Sequence, residues 1–260
     1  MSAVTSAISR PLKPVGDMFA LFLDVIVATF RRPFQFREFI SQAWFIASVC
    51  IVPTILVTIP FGMVTVLQIG ALARQLGAQS FVGASSVIAI VREAAPIVTA
   101  LLIAGAGGSA ICADLGSRKI RDELDAMEVL AVSPIQRLVV PRVLAAILVA
   151  VLLNGLVNFV GISAGYFFNV YLQGGTPGAY LSSFTGLAQL PDIYIGMFKA
   201  VLFGMLAALV ASYKGLNAKG GPKGVGDAVN QSVVITFMLL FVVNFAITAI
   251  YFAVIPQRGS

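Results

Sequence analysis

Five stretches of the chain contain no Asp, Glu, Lys or Arg: residues 43–73, 94–113, 143–191, 200–213 and 228–257. Four of them reach the roughly 20 apolar residues that a helix needs to cross a hydrocarbon layer of about 30 Å. With no water there to bond the backbone, such segments are expected to be α-helical. The pattern predicts spans at about 43–73, 87–113, 142–170, 193–213 and 228–256. Pro53 and Pro60 predict kinks in the first span, because each removes a backbone donor. Residues 75–86 read as a polar turn, 173–192 as an uncharged loop, and 214–227 as a Gly/Lys loop.

Ahead of the first span, residues 18–30 (MFALFLDVIVATF) place Phe19, Phe22, Ile26 and Phe30 at helical spacing. Asp24 interrupts the segment, and Arg31-Arg32-Pro33 follows where a signal peptide would carry small residues. Arg10 and Lys13 flank its other side. This predicts an amphipathic helix lying along a membrane surface, with a second short piece at 34–40. The expected organisation is an N-terminal interfacial segment 1–42, one transmembrane domain 43–256, and a tail 257–260.

Composition agrees with this class. Of 260 residues, 59% are hydrophobic and 11% charged, against about a quarter charged in soluble domains. The chain has no histidine, which removes the commonest general base and metal ligand. Cys50 and Cys112 fall in apolar spans and read as small hydrophobes. A net charge of +6 raises nucleic acid as a partner, but the basic residues lie between spans and not on a polar face. Arg10, Lys13, Arg31, Arg32, Arg37, Arg118, Lys119, Arg121, Arg137, Arg142, Lys214, Lys219 and Lys223 fall on one side of five spans, Arg74 and Arg258 on the other. The positive-inside rule therefore expects a cytoplasmic N-terminus and an extracytoplasmic C-terminus.

Against this background, residues 117–134 (SRKIRDELDAMEVLAVSP) stand out. Seven of the eleven residues from Arg118 to Glu128 are charged. As one helix over about 118–130, with Ser117 as N-cap and Pro134 as stop, it aligns Ile120, Leu124, Met127 and Ala131 on one face. Surface-lying helices are usually rich in Lys and Arg, whereas this strip carries Asp122, Glu123, Asp125 and Glu128 against three bases. It suits a protein groove better than a membrane surface.

Other candidates are sparser. Arg92-Glu93 lies a turn or two inside the second span, as a mutual or interhelical ion pair anchoring the helix end or a polar contact for a lipid headgroup. Lys199, in the fourth span, is expected to snorkel to the interface. Gly105, Gly107, Gly108, Gly161 and Gly165 read as helix-packing positions. Gly105–Ala110 formally fits a dinucleotide fingerprint but lacks the strand context it needs. No phosphate-binding G-x-x-x-x-G-K-[ST] occurs, so any ATP hydrolysis belongs to another subunit. Asn154, Asn158, Asn169, Asn244 and Thr248 are expected to bond between helices.

Residues 92–145 resemble the MlaE or YrbE permease family, membrane subunits of lipid-moving ABC transporters associated with Mce-domain proteins. The resemblance rests on Arg92-Glu93, Pro96, Thr99–Leu102, Ala104-Gly105, Leu115-Gly116, Glu123–Met127 and Pro141-Arg142, in order and at matching spacing. It implies an all-α membrane permease with five transmembrane helices, an N-terminal interfacial helix, and a cytoplasmic coupling helix between spans two and three. It implies that Arg121, Asp122, Glu123, Leu124, Asp125, Met127 and Glu128 meet a cytoplasmic ABC ATPase, which alone would bind ATP and magnesium. It further implies a lipid pocket among Arg92, Glu93, Phe61, Met63, Leu67, Phe237 and Phe241. Implied partners are a second YrbE-type permease, extracytoplasmic Mce-domain proteins and a lipid, with no cofactor on this chain and no nucleic acid. Ala106, where many members carry Arg, resembles the actinobacterial subunits that pair as non-identical chains. The competing classes fare worse. A secondary transporter driven by an ion gradient predicts internal repeats and buried acids, and an intramembrane enzyme needs a constellation of catalytic side chains.

Overall fold

The computed structural model describes residues 2–31, 34–78, 81–187 and 190–254. Eight helices follow in order: α1 (Ser2–Thr29), α2 (Phe36–Gln75), α3 (Val82–Ile120), α4 (Glu123–Val129), α5 (Ile135–Gln173), α6 (Pro177–Leu187), α7 (Leu190–Leu216) and α8 (Gly221–Val254). Of these, α2, α3, α5, α7 and α8 are long and apolar enough to cross a membrane.

Four spans overrun their expected bounds at both ends, and the fifth at its start. An apolar criterion ends a span at its first charge, whereas backbone hydrogen bonding carries the helix on beyond the hydrocarbon. Thus α2 absorbs most of the 34–40 piece expected to lie apart, α3 runs to Ile120, and α8 starts at Gly221 inside the expected Gly/Lys loop. The loop expected over 173–192 contains α6. Buried Tyr180 of α6 stacks edge-on against Tyr166 at 5.7 Å, and burial pushes its phenol up to about 12. The expected tail 257–260 lies outside the described residues.

Packing starts from a ridge of mostly small residues on α2. Ile46, Cys50, Thr54, Thr58, Gly62, Val66 and Gly70 are buried at a strict four-residue interval. α5 answers with Val157, Gly161, Gly165 and Asn169 at the same interval, so four-residue ridges interdigitate. The two helices run parallel. A Cβ on Gly62 would lie 3.0 Å from Gly161 O, and one on Gly165 would lie 2.8 Å from Val66 Cγ2. Thr54 and Thr58 donate to Cys50 O and Thr54 O, both at 2.6 Å, so neither hydroxyl faces lipid unpaired. The core lies where α3, α5 and α7 meet, around Ile111, Leu115, Val143, Ala146, Ala150, Phe203 and Ala207.

Of the four residues expected on the membrane-facing side of α1, only Phe22 packs against the core. Leu21 and Val25 are buried with Phe22 and Ala28 against the core, while Phe19, Ile26 and Phe30 are exposed. The segment is apolar on most of its circumference, so periodicity alone does not say which side meets protein.

Candidate functional site

Three π-helical turns interrupt the spans, at Ile90–Ala94 and Ile103–Gly107 in α3 and at Ile135–Val139 in α5. The first and third share a construction. The residue after each turn bonds five residues back, Ala95 N–H to Ile90 O and Val140 N–H to Ile135 O. A proline follows at once, Pro96 or Pro141. Each proline withholds a backbone donor, and beside each turn lies a buried charged cluster. Such π turns recur at functional sites.

The first cluster joins α3, α7 and α8. Arg92 Nε and Nη2 donate to Asp192 Oδ1 at 2.9 and 2.7 Å, and Tyr251 OH donates to the same oxygen at 2.6 Å. The guanidinium also lies over the rings of Tyr251 and Phe252, 5.1 and 5.6 Å from their centroids. Glu93 turns elsewhere. Its Oε1 accepts from Lys199 Nζ and Thr248 Oγ1, each at 3.0 Å, and its Oε2 from Asn244 Nδ2 at 3.3 Å. Lys199 is 0% exposed. An ammonium carries three donors, and Lys199 uses them on Glu93, Thr248 Oγ1 at 2.8 Å and Arg92 O at 3.1 Å. Arg92 O is the carbonyl that Pro96 leaves without its helical partner.

This corrects two expectations. Lys199 does not snorkel; it is the buried counter-ion of Glu93. Of the mutual or interhelical ion pair expected at Arg92-Glu93, the structure has the interhelical form, Arg92 with Asp192 and Glu93 with Lys199; α3 begins at Val82, so the two lie about three turns inside it and not one or two. A shallow apolar slot adjoins the cluster, lined by Ile97, Ala100, Leu101, Phe203, Leu240, Phe241 and Asn244.

The slot contains Phe241 but not Phe61, Met63 or Leu67. Those three are on α2, which packs on α5, whereas Phe237 and Phe241 are on α8, which packs on α3 and α7. The structure therefore does not bring the expected pocket residues together within one chain. Phe237 meets the face of Gly105, 3.9 Å from where a Cβ would sit. Gly107 and Gly108 face Ile46 and Ala211.

The second cluster joins α2, α3 and α5. Arg142 is wholly buried, donates from Nη1 to Leu138 O at 2.7 Å and from Nη2 to Asp114 Oδ2, and lies 3.8 Å from Glu38 Oε1. Asp114 Oδ1 takes Arg118 Nε at 3.3 Å. Arg142 had counted as a basic residue at a span end; burial makes it an interior ion. Asp114, Glu38, Asp192 and Tyr251 were not singled out in the sequence. For Asp114 and Asp192 the signal was a charge at the edge of an apolar run, which does not name its partner.

The charged strip is not one helix. α3 continues through Arg118, Lys119 and Ile120, and Asp122 takes a left-handed backbone at φ 57° before the short α4. Ser117 is no N-cap; its hydroxyl donates to Asp114 O within α3. Ion pairs bridge the break: Lys119–Asp125 at 2.6 Å and Arg118–Glu123 at 3.6 Å, with Arg121–Glu123 at 2.8 Å beside them. Asp122 and Glu128 have no such partner among the described residues. Leu124 is buried and Met127 half-buried, so the apolar face turns toward the bundle. The tip faces outward, with Val129 87% and Leu130 75% exposed.

A family model described as Permease MlaE matches residues 39–250. A probable ABC transporter permease protein of Synechocystis is 36% identical over 191 residues, 74% of this chain and 73% of that protein. One of Rickettsia typhi is 29% identical over 238 residues, 91% of this chain and 92% of that protein. The intermembrane phospholipid transport system permease protein MlaE of Haemophilus influenzae is 31% identical over 192 residues, 74% of each chain. None of these relatives is actinobacterial, so the subtype read from Ala106 rests on that residue alone. With five membrane-spanning helices and a family match over most of its length, this chain belongs to the MlaE permease family as an all-α, multi-pass membrane permease.

Proposed function

We propose that the chain is the permease subunit of an ABC transporter that moves phospholipids or similarly apolar molecules across or out of the cytoplasmic membrane. A separate cytoplasmic ATPase, holding ATP and magnesium, seats on α4 and supplies the energy. The observation that carries this reading is α4 itself, a helix outside the spans, fixed by ion pairs and ending in an exposed apolar tip. A partner groove that receives Val129 and Leu130 removes that tip from water, while Glu128 and Asp122 offer carboxylates to basic groups at its rim. The excess of Lys and Arg on the α4 side supports a cytoplasmic α4 and N-terminus.

The substrate class comes from the named role of the Haemophilus relative in phospholipid transport, and the first cluster suits it. Glu93, about a third exposed, borders the apolar slot through Asn244. Apolar wall and charged rim adjoin, as an amphipathic ligand requires. Exposed Leu56 on α2 and exposed Met238, Phe241 and Phe245 on α8 support a second permease subunit that completes the pocket with Phe61, Met63 and Leu67, and Ala106 supports its being a non-identical chain. Mce-domain proteins would receive the lipid outside, as expected of an actinobacterial system carrying Ala106.

Purification of the tagged chain from native membranes tests the reading, beside a Leu130→Asp variant. The wild type is expected to bring down an ATPase and bound phospholipid, and the variant to lose the ATPase alone. A wild type that carries no ATPase, with transport that follows an ion gradient, would replace this reading with secondary transport.

A further inference from the structure

We propose that Arg142 is the hub of a charge relay that carries movement of α4 into the first and third spans. The inference rests on reading α4 as the docking element and adds how its displacement enters the membrane. The backbone alone is a poor transmitter here, because the helix breaks at Arg121–Asp122 with a left-handed residue. Side chains span the break instead. Glu123 of α4 holds Arg118 of α3 at 3.6 Å, Arg118 holds Asp114 at 3.3 Å, and Asp114 holds Arg142 of α5 through its other oxygen. Arg142 in turn lies 3.8 Å from Glu38 in the first turn of α2, and Gln42 Nε2 steadies Glu38 at 2.9 Å. One continuous chain of charges therefore links α4 to three spans.

Asp114 is the divider. Its two oxygens face different cations, so a pull on Arg118 turns the carboxylate away from Arg142. Arg142 is poorly placed to tolerate that loss. It is 0% exposed, its Nε has no hydrogen-bond partner among the described residues, and Asp114 is its one close carboxylate there. A guanidinium left unpaired in such surroundings is strongly destabilised, which favours its transfer to Glu38, the carboxylate within reach at 3.8 Å. Transfer of Arg142 from Asp114 toward Glu38 shifts α5 against α2. Asp114 and Arg142 are thus positioning residues; neither touches ATP or lipid.

The test uses the intact permease–ATPase complex in proteoliposomes, with ATP hydrolysis and movement of a fluorescent phosphatidylglycerol measured together. Arg118→Gln is the first variant, since Arg118 is a third exposed and the change introduces no unpaired buried charge at that position. Arg142→Lys is the second. Both are expected to retain the bound ATPase and basal hydrolysis within twofold, while phospholipid moved per ATP falls at least fivefold. The double variant should be no worse than the poorer single one, because both cut one chain. Wild-type coupling in Arg118→Gln, or losses that multiply in the double variant, would overturn the relay while the docking reading stands. A wild type that binds no ATPase would remove both. If Arg142→Lys misfolds, Asp114→Asn takes its place in the same cycle.

Discussion

Lys199 of α7 donates to the backbone carbonyl of Arg92 at 3.1 Å, filling the acceptor that Pro96 cannot serve. The lysine thereby couples a defect in one helix to a carboxylate on the same helix and a hydroxyl on another. Lys199→Met should therefore strand Glu93. Breaking a fully buried pair costs about 3–5 kcal/mol; Glu93 is a third exposed, so a loss of about 2 kcal/mol is expected. Thermal unfolding in detergent checks this, and Lys199→Met with Glu93→Gln should recover most of the loss.

Pro96→Ala restores an N–H opposite Arg92 O and competes with Lys199 for it. The π turn should then relax to α geometry and rotate Arg92 and Glu93 off their partners. Removing the proline favours the helix, but buried Lys199 and Asp192 lose their partners at greater cost, so the melting temperature should fall and phospholipid transport should fall several-fold. Unchanged transport would detach the π turn from function.

Gly204 of α7 packs closely on α5, and a Cβ there would lie 2.7 Å from Ala150 Cβ and 2.8 Å from Ala146 O. Gly204→Ala must push the helices apart, at about 1–3 kcal/mol. Gly155 sits in the same α5 with nothing within 4 Å, so Gly155→Ala should be neutral or stabilising by up to about 1 kcal/mol. Parallel melts of the two variants decide it.

Asp122 holds φ at 57°, a region costing an L-residue roughly 1–2 kcal/mol. Asp122→Gly should leave stability unchanged or slightly raised, and Asp122→Val should lower it by about 1 kcal/mol or more. Hydrogen exchange at α4 amides would register the loss locally before any global melt.

The five spans and the place of α4 were legible, because charge-free length and one dense strip are properties of the chain alone. The partners within the clusters were not. Arg92 and Asp192 are 100 residues apart, and Glu93 meets Asn244 across 151; such pairings depend on how helices rotate in the bundle. The break at Asp122 was hidden because no glycine marks it, and aspartate is among the few residues that tolerate that conformation. The face by which α1 packs was hidden for the opposite reason, since Phe19 and Leu21 are equally apolar. Pro96 and Pro141 entered the family resemblance but not the reading of the clusters, although each is a proline within four residues of an ion-paired arginine.

The first cluster contains Arg92, Lys199, Glu93 and Asp192, two cations and two anions held at one level of the bundle. A membrane potential does work of about 2.3 kcal/mol per elementary charge carried across 100 mV. For these four ions moving together the contributions cancel. The helices that bear them can shift during a transport cycle without electrical work from that site, so its contribution to turnover is independent of membrane voltage.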